Sequence, residues 1–193
     1  MAQITGPGEV VAYWLGQNEK IWFTADPAFD AEVLSRFAQL VERAKSGGLD
    51  HWAEEAEGAL ALVILLDQMT RNIYRDSPDM FAADGKALAV AKRAIERGFD
   101  MDLSKQKRRW LYMPFMHSED LADQERGVEL FARSELSESL PFAVEHADII
   151  RRFGRFPHRN AILGRQTTPE EEAFLAGGGF AGVTARGPAE RQS

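Results

Sequence analysis

Ala59-Leu-Ala-Leu-Val-Ile-Leu-Leu66, followed at once by Asp67-Gln-Met-Thr-Arg-Asn72, decides how this chain folds. The first of these stretches has no polar side chain, so a helix through it is apolar on every face. Such a helix belongs at the centre of a domain, with other helices packed around it. It is too short to span a bilayer. The polar stretch extends the same helix, which is read as running over 51–74 behind Asp50 as its cap. Asp67 and Arg71 stand one turn apart and share a face.

The helical pattern continues in both directions. A short first helix covers Val10 to Leu15. Asp26-Pro27 is a start signal, with aspartate as N-cap and proline in the first position. Val33, Phe37, Leu40, Val41 and Ala44 then recur at helical spacing until Gly47-Gly48 stops them. Beyond the central helix, Ser77-Pro78 breaks the chain. Ala87, Leu88, Ala91, Ala94 and Ile95 form another amphipathic stripe, ended by Gly98. Ser104 caps a helix through Trp110 that Pro114 should end or kink. Ser118 reads as a fresh N-cap, and a further helix spans about 139–153. The segment 154–160 is an ordered loop, and Thr168-Pro-Glu-Glu171 is a capping box for a last short helix. Residues 181–193 read as a flexible tail. No alternating strand pattern appears. The expectation is one all-α domain over residues 1–180, built of antiparallel helical hairpins.

Composition fits that reading. The 193 residues are 45% hydrophobic and 27% charged, with no cysteine and a formal net charge of −7. Disulfides, a thiolate nucleophile and a cysteine zinc site are excluded. The acidic balance disfavours nucleic acid, whose phosphates it repels. No apolar run is long enough for a membrane span, and the first residues carry no secretory pattern, so a cytoplasmic protein is expected.

Polar residues fall on faces that should be apolar. On the 139–153 helix, Phe142, Ile149, Ile150 and Phe153 define a face with His146 near its centre. On the stretch Trp110 to Phe131, Gln124 lies on the inner side and Asp120 on its edge. His117 joins them if the helix runs through Pro114. Asp67, Gln68, Arg71 and Asn72 follow the apolar run, and the loop adds Arg155, His158, Arg159 and Asn160. An unpartnered buried polar group costs roughly 1–3 kcal/mol, so these groups must satisfy one another, hold water or meet a ligand. They are expected to converge on one cavity.

The motifs Asp67-Gln-Met-Thr-Arg-Asn72, Tyr112-Met-Pro-Phe-Met-His-Ser-Glu-Asp120 with Gln124, and Arg155-Phe-Pro-His-Arg-Asn160 resemble those of a mainly bacterial family. It is known as domain-of-unknown-function family 924. Ile21-Trp-Phe and Ala25-Asp-Pro fit it too, and the resemblance runs from about Val10 to Leu175. It implies an all-helical, tetratricopeptide-repeat-like array and no particular activity. Where the family reads Phe-Pro, this chain has Met69-Thr70, which removes an expected kink after the apolar run.

Two functional readings stand. In the first, Arg71, Arg155 and Arg159 hold a small carboxylate or phosphate in a pocket. His117 or His158 would then serve as general acid or base, with Asp67 or Asp120 orienting it. In the second, the same residues line an open groove for a peptide or partner helix. No cofactor motif is present, and no metal is expected, because His117, Asp120, His146 and His158 lack metal-ligand spacing. The basic run Lys105-Gln-Lys-Arg-Arg109 reads as a solvated helix face, and the tryptophans as core packing. Oligomeric state has no signature.

Overall fold

The central helix is buried along its whole apolar run: each residue from Ala59 to Leu66 is at most 1% exposed. The computed structural model describes residues 6–134 and 136–179, so the proposed tail at 181–193 lies outside the described residues. The helix begins as α3 (Ala56–Val63), widens into a π-helical turn at Ile64–Met69, and closes as α4 (Thr70–Ile73). The backbone thus departs from a regular helix here without proline, through an extra-wide turn, a common way for a helix to absorb irregularity.

The start of this helix differs from expectation. Asp50–Glu54 forms a separate 3-10 turn, and Glu55 is extended before α3 begins. The physical reason is Trp52, which folds back on the helix. A Cβ on Gly58 would lie 2.0 Å from the Trp52 carbonyl oxygen, so only glycine permits this approach.

Around this axis stand α1 (Pro7–Leu15) and α2 (Pro27–Lys45), then α5 (Asp84–Glu96) and the short α6 (Phe99–Asp102). After them come α7 (Lys105–His117), α8 (Leu121–Arg133), α9 (Leu140–Phe153) and α10 (Pro169–Ala176). The described residues contain no strand. Asp26 caps α2 as expected, accepting from the Ala28 and Phe29 amides at 2.9 and 3.1 Å. Thr168 and Glu171 form the expected reciprocal box at α10. Gly154, at φ 67°, ends α9 in the left-handed region that favours glycine.

Pro114 does not end α7, which runs on to His117. The following N-cap is Asp120 rather than Ser118: Asp120 accepts from the Ala122 and Asp123 amides. Helices α7 and α8 form an antiparallel hairpin, with Tyr112 against Phe131 near its open end and Met116 beside Gln124 near its turn. Helices α8 and α9 pair next, with Glu125 reaching Arg151. Trp110 packs edge to face against both Trp14 and Trp22 at the heart of the core, its ring centroid 5.5 and 4.8 Å from theirs.

Candidate functional site

The π turn delivers Asp67 into the protein with no exposure at all. An isolated buried carboxylate is prohibitively costly, and here three side chains answer it. His117 Nδ1 lies 2.7 Å from Oδ1, Arg71 Nη1 lies 3.4 Å from the same oxygen, and the Gln68 amide donates to Oδ2. Burial pushes the Asp67 carboxyl up, but His117 and Arg71 beside it outweigh that effect and hold it down at about 2. With a carboxylate facing Nδ1, the hydrogen-bond network assigns the His117 proton to that nitrogen. Nε2, across the ring, is then a proton acceptor.

Arg71 makes a second, forked pair with Asp84 at 3.0 and 2.9 Å. Arg159 shares that carboxylate at 3.5 Å and donates to the His117 carbonyl at 3.0 Å. Arg159 is only 7% exposed, and its guanidinium sits between the rings of Phe81 and Phe156. Burial lowers it to about 10, which leaves it a cation at neutral pH. Arg75 and Asn72 both bond Asp30 from α2.

These groups open onto a cavity of about 470 Å³. Its charged and titratable lining consists of Arg71, Arg75, Arg109, Arg159 and the histidines 117, 146 and 158. Gln68 and Asn72 add amides, while Trp14, Trp22, Phe81, Phe142 and Phe156 add ring faces. Met80, Met113 and Met116 complete the apolar wall. Among the described residues, no aspartate or glutamate lines it; Asp67, Asp84 and Asp30 stand behind the arginines they hold. His146 bonds the Phe142 carbonyl at 2.6 Å, and burial drives it down to about 4. Burial and the neighbouring Arg159 bring His158 down to about 3. Phe142, expected on the buried face of α9, is 56% exposed and stands at the mouth of the cavity.

The three motifs do meet, though not every expected residue reaches the cavity. Gln68, Arg71, Asn72, His117, His146, His158 and Arg159 line it, with Asp67 directly behind. Asp120 is an exposed helix cap. Gln124 spends its amide on the Met116 and Ser118 carbonyls at 2.8 and 2.6 Å, closing the end of α7. Arg155 forks onto Glu171, and Asn160 bonds the same carboxylate, so both tie the loop to α10. Sequence reasoning missed Arg75 and Asp84, whose pairings are long-range and leave no local spacing. It also missed Arg109, which the basic run disguised as a solvated face. Among the described residues, no three histidine or carboxylate side chains are grouped to hold a metal ion.

The fold and the cavity define the class: a helical protein, strandless among the described residues, with a cationic, aromatic-walled internal cavity. The profile described as bacterial protein of unknown function (DUF924) matches residues 10–179, and the chain belongs to that family. A solved structure of a protein of unknown function from Agrobacterium tumefaciens is similar, at 44% identity and a TM-score of 0.84. The match covers 88% of this chain and 96% of that one. No curated protein matches.

Proposed function

We propose that the chain binds a small anion, a carboxylate or phosphate, in this cavity. One observation carries the reading. In a chain of net charge −7, the cavity lining holds arginines and histidines, while the carboxylates sit on the far side of those arginines. Water-excluded guanidinium groups aimed at a hollow are a preformed anion receptor. Arg71 and Arg159 would hold the ligand, already fixed by Asp84 and the phenylalanine rings. His117, steadied by Asp67, would present Nε2 to it, an arrangement suited to proton transfer. The lining comes from the α1, α4, α7 and α9 regions and the loop after α9, and walls on several sides fit a small molecule better than an extended peptide.

Isothermal titration with phosphate and citrate tests the proposal. Saturable binding is expected, weakened at least tenfold in Arg159→Gln, where a charge-assisted bond is lost. Absence of heat with both ligands, in a protein shown folded by circular dichroism, refutes it.

A further inference from the structure

The cavity is large for phosphate or acetate and falls within the range that holds a ligand of many heavy atoms. Its charge is also distributed unevenly. Helix α7 contributes Arg109, Met113, Met116 and His117 to the lining. Arg109 and His117 are eight residues apart, so at the helical rise their backbones stand about 12 Å apart along one wall. The His117 end carries Arg71 and Arg159, joined through Asp84. The Arg109 end lies by the tryptophan cluster: its guanidinium sits 5.5 Å from the Trp110 ring centroid. Burial lowers Arg109 from its ordinary range, against the opposing pull of Glu19 and Glu138, so this cation is itself partly desolvated. Met113 lies between the two ends, and Phe142 and Trp22 supply ring faces to the same hollow.

We infer that the ligand is an elongated molecule with an anionic group at each end and an apolar body between them, one end held by Arg71 and Arg159, the other by Arg109. This rests on the anion-binding reading above and deepens it. A single-headed anion would leave Arg109 facing apolar ligand surface, and a short one would leave the methionine and aromatic wall to water. A two-headed ligand presents a carboxylate to each cationic end and removes that wall from solvent.

The test is titration calorimetry with acetate, decanoate and decanedioate on the wild type, Arg109→Gln and Arg109→Lys. Circular dichroism and melting temperature establish that each variant is folded. Decanedioate should bind about tenfold tighter than decanoate, the worth of one charge-assisted contact, and decanoate tighter than acetate. Arg109→Gln should bring the diacid down to the monoacid level, whereas Arg109→Lys should keep part of the preference. Equal affinity for decanoate and decanedioate in the wild type overturns the second anionic end. Acetate binding as tightly as decanoate overturns the apolar body. Either result leaves the simpler anion reading standing, provided phosphate or citrate binds. Failure of all five anions removes both.

Discussion

Asp67 is the residue on which the site turns. It is wholly buried and balances Arg71 and His117 together. Asp67→Asn keeps the shape and removes the charge, leaving Arg71 and the His117 Nδ1–H without the carboxylate they share. Removing one partner from a buried ionic group costs about 3 kcal/mol or more, and urea denaturation should show a loss of that order. A loss below 1 kcal/mol would mean that the cluster is better solvated than its burial indicates. Gly58 makes an opposite point about steric room. Within a helix, glycine to alanine ordinarily stabilises by about 1 kcal/mol. Here the added methyl would meet the Trp52 carbonyl at 2.0 Å. Gly58→Ala should therefore destabilise by about 2 kcal/mol or more, a reversal of sign readable from the same denaturation curves.

At the scale of elements, caps separate structural from binding roles. Asp120 satisfies two amides at the start of α8 and is exposed away from the cavity. Asp120→Ala should cost about 1 kcal/mol of stability and leave the affinity for citrate unchanged. An equal loss of affinity would restore Asp120 to the site. The helices themselves were legible because the apolar spacing and the Asp26 and Thr168 signals are local. The errors arose where two local signals competed. Ser118 and Asp120 both suit an N-cap; Ser118 instead accepts from the Asp120 amide and donates to Asp123. Pro114 suggested a stop, but α7 is secured past it by Gln124 on the carbonyls of its last turn. Convergence of the three motifs was legible from polar residues on inward faces. The pairings of Arg71 with Asp84 and of Arg75 with Asp30 were not, because they join elements remote in the chain.

The whole molecule should record its buried histidines in its response to acid. Folding lowers His146 to about 4 and His158 to about 3, from an ordinary value of 6.5. Between those values the unfolded chain binds more protons than the native one, so stability falls as pH falls. Loss should begin near pH 6.5, well above the range in which Asp67, held at about 2, and Glu171, drawn to about 2 by Arg155, would begin to contribute. Melting temperature followed from pH 8 to pH 4 should decline throughout the lower half of that range, and His146→Gln should flatten the decline. A flat profile down to pH 5 would show that both rings already carry water or a proton in the folded state. The wide turn at Ile64–Met69 has a consequence of another kind. A π turn is what a regular helix becomes when one residue too many is accommodated without disturbing either end. Excising a single residue there would let the helix relax to its ordinary pitch with Arg71 and Asn72 held in place, and would change only how the turn itself presents Asp67 and Gln68. The carboxylate behind His117 would then owe its placement to one surplus residue, and the smallest possible deletion should leave a folded helical domain whose Arg71 still faces the hollow.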